Sequence, residues 1–192
     1  MAGYTNVLQA LKKADLLGSS GRNLLKSSLA PTVAVHVKYP SGQKVDLGNE
    51  IALDQTQAEP QVTFEGLDSS SSSSNTTVLA MLDPDAPSQT DSKWSPYCHW
   101  ITTCSTTGQP TNPSLMKFFP CGPPENTGLH RYVFMALVKD DDKEIKLPSG
   151  VEKDNDKHRP KFGWQEFLDL NGLQVVGVNF HVTKNPKQNA NL

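Results

Sequence analysis

One short stretch constrains the fold of this chain more than any other: an apolar run at 78–82 that stops at two prolines. The run VLAML is short and has no polar residue, which is typical of a buried β-strand. Pro84 and Pro87 fix φ and remove two backbone donors, so the chain cannot continue there as a central strand. The stretch therefore predicts a stiff turn that presents Asp83 and Asp85 at the end of a buried strand.

Two further segments carry histidines in strand-like sequence. His99 lies in the run 97–102, and His130 stands at the start of the apolar run 132–138, after a rigid Gly-Pro-Pro loop. If the three strand ends converge, two imidazoles, a carboxylate and a Gly-Pro-Pro wall line one small pocket. Each piece taken alone is more often structural, as a turn, a core histidine or a stiff loop. The prediction of a site therefore depends on all three occurring together.

The residue types of this pocket favour a small anionic ligand. A carboxylate close to two imidazoles raises their pKa values and fixes their tautomers. Protonated imidazoles and the N–H groups of a glycine-containing turn bind anions. Three apolar neighbours, Trp94, Trp100 and Phe118, are expected to lower the local dielectric constant and strengthen each charge contact. We therefore predict that the ligand is a phosphate, sulfate or carboxylate group.

An enzyme is the alternative that the same residues leave open. Asp83, His99 and His130 are suited to acid–base catalysis or to metal ligation, as in a hydrolase. However, the sequence contains neither the Gly-x-Ser-x-Gly turn of acyl-transfer enzymes nor the His-Glu-x-x-His helix of metalloproteases. We predict a non-enzymatic binding protein that uses no cofactor and no metal.

Composition narrows the class of partner and the location. A net charge of −2 over 192 residues gives no general nucleic-acid footprint. Three cysteines without paired or metal-type spacing indicate free thiols in a reducing compartment. No apolar run reaches the ~18 residues of a membrane span. A peripheral lipid carrier is a third hypothesis, disfavoured because no polybasic patch or basic amphipathic helix is present. We expect a cytoplasmic monomer with at most peripheral membrane contact.

Helical periodicity marks the N-terminal region. Residues 4–17 carry apolar side chains at helical spacing, and Gly18 is a typical helix end. This helix either packs on the domain or detaches to dock on a partner. We assign 1–30 to an N-terminal helical arm, 31–183 to one domain and 184–192 to a polar tail that is expected to fray.

The domain is predicted to be mainly β. Alternating and apolar patterns predict strands, and one amphipathic segment predicts a helix that Gly172 ends. The further strands are predicted at 32–39, 61–67 and 173–182, and the helix at 163–171. Since strands dominate and helices lie towards the chain ends, the pattern favours a two-sheet β-sandwich with short peripheral helices.

The three pocket segments resemble the signature blocks of the phosphatidylethanolamine-binding protein family. The matching residues are DPDAPS at 83–88, His99-Trp100, and GPP at 122–124 followed by GLHRYVF at 128–134. The segment DSKWS at 91–95 is most similar to fungal members of the carboxypeptidase Y inhibitor branch. The resemblance implies a sandwich of two antiparallel sheets with a pocket for a phosphate or phosphoethanolamine-type anion.

The resemblance also implies a role for each residue of the site. Asp83 would anchor the pocket and orient both imidazoles, Tyr132 would close one side and Trp94 would stand at the rim. The implied ligand-binding residues are Asp83, Trp94, His99, Gly122, Pro123, Pro124, His130 and Tyr132. Pro84, Asp85 and Arg131 would support the site, with Arg131 in an ion pair beneath the pocket.

Three further expectations follow from the resemblance. The partner would be a serine carboxypeptidase, with the N-terminal arm as the inhibitory element, or a signalling protein. At least one of the Ser95-Pro96 and Ala86-Pro87 peptide bonds is expected to be cis. Mammalian members end in a helix that overhangs the pocket, whereas this chain has a polar tail after Val182, so a more open mouth is expected.

Overall fold

Seven strands, two α-helices and two short 3-10 helices make up the regular structure of the described residues. The computed structural model describes residues 3–18, 24–67, 76–111 and 113–188. The elements are α1 (Gly3–Lys13), β1 (Ala34–Lys38), β2 (Asn49–Glu50), β3 (Gln61–Glu65), β4 (Thr76–Asp83), β5 (Tyr97–Cys104), β6 (Leu129–Lys139), α2 (Trp164–Asn171) and β7 (Gln174–Lys184). One sheet has the strand order β2-β7-β6-β4-β5, and the other pairs β1 with β3. The predicted two-sheet, mainly β fold with short peripheral helices is confirmed.

Strand pairing is antiparallel with one exception. β4 pairs antiparallel with β5 and β6, β6 with β7, and β1 with β3. The two-residue β2, which was not predicted, runs parallel to β7. The expectation of purely antiparallel sheets is therefore corrected at this edge. So short a strand offers too little sequence for a periodicity argument.

The central strands β4 and β6 are covered on both faces, which explains why their sequences are continuously apolar. On one face, side chains of β4 and β6 cluster with residues of both helices. On the other face, Leu79, Met81 and Phe134 cluster with Val35 and Phe64 of the two-stranded sheet. The five-stranded sheet is thus the middle layer, between the helices and the small sheet.

The helix α1 is packed on the domain. Leu11 within it and Leu16 after it are fully buried in the helix-side cluster. The Tyr4 hydroxyl donates a hydrogen bond of 2.8 Å to the Thr32 carbonyl. Of the two alternatives for the N-terminal helix, the structure therefore shows the packed one.

The predicted end of this helix at Gly18 is wrong. The helix ends at Lys13, and Asp15 adopts a left-handed backbone with φ of 50°. The Leu16 N–H then donates to the Leu11 carbonyl at 2.9 Å, which satisfies a carbonyl that the helix would otherwise leave unpaired. An aspartate tolerates this conformation, so no glycine is needed.

The C-terminal tail is ordered further than expected. β7 continues to Lys184, and residues 185–188 make hydrogen bonds with the loop 122–128. The expectation of a tail frayed from residue 184 is therefore wrong as far as 188, because polar groups of the tail pair with backbone groups of this loop. No helix within the described ranges is long and apolar enough to cross a membrane.

Candidate functional site

The segments singled out in the sequence meet around one small cavity. It has a volume of about 180 Å³ and lies where β4 and β5 and the start of β6 come together. Its lining residues are Asp83, Ala86, Pro87, Trp94, Tyr97, His99, Phe119, Gly122, Pro124, His130 and Tyr132. Both Ala86-Pro87 and Ser95-Pro96 are cis, which confirms that expectation.

A buried carboxylate holds the first imidazole. Asp83, the last residue of β4, accepts a hydrogen bond from His130 Nδ1 at 2.8 Å through Oδ2. Its other oxygen accepts the Asp85 N–H at 2.7 Å. His130 Nε2 lies 3.1 Å from the Thr127 hydroxyl, which itself donates to the Pro124 carbonyl. The His130 ring is therefore fixed at both nitrogens.

The second imidazole reaches the cavity because of a β-bulge. Along β4, Met81 pairs with Trp100, and the next residue, Leu82, pairs with Cys98. His99 is thus the extra residue of β5. A bulge puts two consecutive side chains on the same face of a sheet. Trp100 contributes to the small-sheet cluster, and His99 lies on the same side, against Tyr132, whereas Cys98 faces the helices.

His99 is oriented by a backbone carbonyl and not by Asp83. Its Nδ1–H donates to the Phe119 carbonyl at 2.8 Å, which leaves Nε2 to carry the lone pair in the neutral ring. Burial lowers the pKa of His99 by more than the nearby Asp83 raises it. The expectation that one carboxylate raises the pKa of both imidazoles and orients both is therefore wrong for His99, since loss of solvation outweighs the charge contact.

Tyr132 joins the two imidazoles. Its ring centroid lies 5.1 Å from that of His99, edge to face, and 6.5 Å from that of His130, nearly parallel. The Tyr132 hydroxyl oxygen accepts the Gly122 N–H at 3.3 Å, so the hydroxyl proton remains available to a ligand. Burial raises the pKa of Tyr132 well above its usual value, which keeps the phenol neutral.

Two of the expected aromatic neighbours lie elsewhere. Trp100 and Phe118 pack edge to face in the core, at 5.8 Å between ring centroids, and do not line the cavity. Tyr97 and Phe119 line it instead. The alternation of a strand could have found Tyr97, since it lies two residues before His99. Trp94 stands at the rim with 43% of its surface exposed.

The remaining residues implied by the resemblance support the cavity without lining it. Pro123 is buried, and its carbonyl accepts a hydrogen bond from Asn185 Nδ2 at 3.1 Å. Pro84 lines a separate groove together with Asp85 and Arg131. The Asp85 carboxylate accepts hydrogen bonds from both the backbone N–H and the guanidinium of Arg131. Arg131 therefore forms the expected ion pair beside the pocket.

One further supporting residue, Arg159, was not predicted, because no local sequence pattern marks it. This buried guanidinium donates to the carbonyls of Cys98 and His99 at 3.1 and 3.3 Å, and lies 4.9 Å from the centre of the Phe119 ring. It therefore braces the bulge and the segment that orients His99. In the part of the chain that the structure describes, no three His, Cys, Asp or Glu side chains are grouped so as to hold a metal ion.

The chain is similar in sequence to known proteins. Residues 41–180 match the sequence model of the family described as phosphatidylethanolamine-binding protein. The uncharacterized protein YLR179C of Saccharomyces cerevisiae is 30% identical, over 93% of this chain and 94% of its own length. The carboxypeptidase Y inhibitor of the same yeast is 28% identical, over 80% of this chain and 85% of its own length.

Solved structures show the same fold. Carboxypeptidase Y inhibitor, in a crystal structure with its cognate proteinase, has a TM-score of 0.77 at 24% identity and covers 94% of this chain and 96% of that one. The phosphatidylethanolamine-binding protein from Plasmodium vivax has a TM-score of 0.75 at 20% identity, covering 93% and 97%. Because the sequence match spans most of the chain and the fold agrees throughout, this protein belongs to the phosphatidylethanolamine-binding protein family.

Proposed function

We propose that this protein is a non-enzymatic binding protein whose cavity takes a small oxyanion, such as free phosphate or the phosphate of a phosphoethanolamine headgroup. The observation that carries the proposal is the placement of His99 and His130 on either side of Tyr132, with Asp83 beneath. The aromatic walls lower the local dielectric constant, so each hydrogen bond to an anion gains strength.

The ligand contacts follow from the hydrogen bonds already made. His130 is engaged at both nitrogens, whereas the hydroxyl proton of Tyr132 is available. Among the described residues, His99 Nε2 has no hydrogen-bond partner in the protein. An oxyanion would accept a hydrogen bond from the Tyr132 hydroxyl, and its negative charge would favour protonation of His99 at Nε2, which would then be a second donor. Anion binding is therefore expected to be coupled to proton uptake by His99.

The cavity lining disfavours the hydrolase alternative. Among the described residues that line it, none is a serine, threonine, cysteine or lysine. Acyl transfer through a serine, threonine, cysteine or lysine intermediate therefore has no nucleophile in this lining, and the Asp83 carboxylate is held by hydrogen bonds from His130 and from the Asp85 N–H. A binding role needs no nucleophile, so we favour binding over catalysis.

An NMR titration of the imidazole protons tests anion binding. Phosphate, phosphoethanolamine and sulfate are added separately to the full chain. We expect the signals of His99 and His130 to shift with saturation. The exposed ring of His36, which pairs with Glu65, and the half-buried ring of His158 serve as internal controls. Phosphoethanolamine binding much tighter than phosphate would indicate a headgroup ligand. No saturable change at His99 and His130 with any of the three anions would overturn the proposal.

We propose inhibition of a serine carboxypeptidase as the activity towards a protein partner. The support is the sequence similarity to carboxypeptidase Y inhibitor over 80% of the chain. Because α1 is packed through Leu11, the proposed inhibitory arm would act either from this docked position or after release. A signalling protein is the alternative partner.

Peptide hydrolysis by carboxypeptidase Y, measured with increasing amounts of the full chain, tests this activity. Saturable inhibition is expected, and its absence would exclude carboxypeptidase Y as a target of this protein. Deletion of 2–20 then tests the arm; residues 2, 19 and 20 lie outside the described ranges. Circular dichroism is needed beside it, because the deletion also removes buried Leu11 and Leu16. A deletion variant that folds and still inhibits would show that the arm is not the inhibitory element.

The location proposed is the cytoplasm. All three cysteines, Cys98, Cys104 and Cys121, are buried free thiols, which agrees with a reducing compartment. We also propose that the protein is a monomer and that it contacts membranes at most peripherally. Sedimentation equilibrium and co-sedimentation with neutral vesicles test them, and strong pelleting with the vesicles would count against this location.

A further inference from the structure

The loop 122–128, which forms one wall of the cavity, depends on other parts of the chain for its hydrogen bonds. It contains two prolines, and Asn126 and Gly128 have left-handed backbone conformations with φ of 62° and 75°. Such a loop cannot pair with a neighbouring strand, yet its polar backbone groups still need partners. The structure shows that several of these partners come from the C-terminal end of the described chain.

Residues 185–188, called the tail segment below, contact the loop along its length. Asn185 Nδ2 donates to the Pro123 carbonyl at 3.1 Å. The Lys187 carbonyl accepts the Asn126 N–H at 3.2 Å. Gln188 Oε1 accepts the Gly128 N–H at 3.1 Å. An exposed ion pair of 2.8 Å between Lys187 and Glu125 adds a fourth contact.

The tail segment is itself folded into a compact turn. The Lys187 N–H donates to Asn185 Oδ1 at 3.0 Å, and Gln188 Nε2 donates to the Asn185 carbonyl at 2.8 Å. Asn185 therefore shapes the turn and contacts the loop at the same time. Removing its side chain should release both.

The loop 122–128 contacts the site at two places. Gly122 and Pro124 line the cavity directly. Thr127 lies between the loop and the imidazole, with its hydroxyl donating to the Pro124 carbonyl at 2.8 Å and lying 3.1 Å from His130 Nε2. A shift of the loop would therefore move one cavity wall and change the hydrogen bond at His130.

We infer that the tail segment is a positioning element of the cavity, with Asn185 and Gln188 as its positioning residues. It fixes the loop 122–128 and, through Thr127, the ring of His130. The ligand half of this inference rests on the proposed function. The tail segment has no helix or strand of its own, yet it supports this side of the cavity through its hydrogen bonds to the loop 122–128.

The test uses a double variant and a matched control in the full chain. Asn185→Ala with Gln188→Ala removes the side-chain contacts to Pro123 and Gly128 without changing charge. Lys184→Ala is the control, because it removes a surface ion pair with Glu50 and keeps the backbone pairing of residue 184 with Leu129. The probe is inorganic phosphate, and the dissociation constant is measured by calorimetry.

The double variant should bind phosphate about tenfold more weakly, which is the effect of losing one or two hydrogen bonds that hold a site. The control should stay within about twofold of the wild type. Wild-type affinity in the double variant would overturn the inference. Equal weakening in the control would overturn it as well, because the effect would then come from the strand end in general.

A second measurement separates this inference from the proposed function. In the protein without ligand, hydrogen exchange is followed at the Asn126 and Gly128 amides, and NMR at the His130 ring protons. The double variant should speed exchange at both amides and alter the His130 signals, while Lys184→Ala changes neither. If the wild type binds no phosphate, the proposed function fails, and these signals still decide the positioning role. Unchanged His130 signals in the double variant would refute it.

Discussion

Arg131 and Asp85 form a bidentate ion pair that connects the N-terminal helix to the pocket. Arg131 Nε lies 2.8 Å from Asp85 Oδ2, and Nη2 lies 2.5 Å from Oδ1. The remaining terminal nitrogen donates to the carbonyls of Ala14 and Asp15, just after α1. Since the Asp85 N–H also donates to Asp83, one guanidinium connects the helix end with the carboxylate that holds the first imidazole.

Substitution Arg131→Lys should destabilise the protein by about 2 kcal/mol, because an ammonium keeps the charge but cannot bond both oxygens and both carbonyls at once. Urea unfolding measures the loss. Lys93→Ala is the control, since it breaks an exposed ion pair with Asp91 and should change the free energy of unfolding by less than about 0.5 kcal/mol. Equal stabilities of Arg131→Lys and wild type would contradict this account of the ion pair.

Anion affinity should increase as pH falls. In the free protein the pKa of His99 is lowered by burial, so at neutral pH the ring is uncharged and must take up a proton to donate from Nε2. Sulfate is the appropriate probe, because its own charge does not change between about pH 5 and 8. The change of sulfate affinity with pH then reflects titration of the protein alone. Above the pKa of free His99, affinity should fall up to about tenfold per pH unit as pH rises.

The variant His99→Gln should remove this pH dependence and bind sulfate weakly at every pH. His36→Gln changes an exposed ring in β1 and should leave the pH dependence of sulfate affinity unchanged. Calorimetry in two buffers of different ionisation enthalpy would count the protons taken up. A pH-independent affinity in the wild type would exclude His99 as the proton acceptor.

Stability should decrease between pH 6.5 and 4 because of His181. This fully buried ring accepts a hydrogen bond from the Tyr39 hydroxyl at 3.0 Å, and its Nδ1–H donates to Thr183, whose own hydroxyl donates to Ile51. Burial lowers the pKa of His181 to about 4. Between that value and about 6.5 the unfolded chain binds a proton that the folded protein does not, so acid favours unfolding, by up to about 3 kcal/mol.

Urea unfolding of wild type and His181→Gln at a series of pH values measures this effect. The variant should be less stable at pH 7, because it loses buried contacts, but its stability should fall less steeply in acid. The difference in slope should approach one proton. Parallel pH profiles for the two proteins would mean that His181 is protonated in the folded state as readily as in the unfolded one.

Two glycines should differ sharply in their tolerance of alanine. A Cβ at Gly177 would lie 2.6 Å from the Val33 carbonyl oxygen, so backbone would have to move. A Cβ at Gly122, in the cavity wall, would have no atom within 4 Å. Gly177→Ala should therefore cost more than about 2 kcal/mol and Gly122→Ala less than about 0.5 kcal/mol, as measured by thermal and urea unfolding. Equal costs would show that the strands at Gly177 relax freely.

The site could be predicted only in part, and Phe118 and Phe119 show why. The sequence places both near the cavity, but a one-residue difference decides which ring packs on Trp100 and which lines the wall. That choice depends on how the segment lies against β5, where the Phe119 N–H pairs with the His99 carbonyl. Contacts between residues 20 apart leave no local pattern in a sequence.

The sequence by itself determined the buried strand β4, the proline turn after it and the presence of Asp83, His99 and His130 at strand ends. These depend on local properties: apolar runs, the fixed φ of proline and the period of two along a strand. The tertiary structure alone decided the bulge at His99, the carbonyl that orients its ring, the direction of its pKa shift and the hold of residues 185–188 on the cavity wall. Register, burial and hydrogen bonds between distant segments arise only when the sheets pack, because each depends on atoms that the chain brings together from far apart.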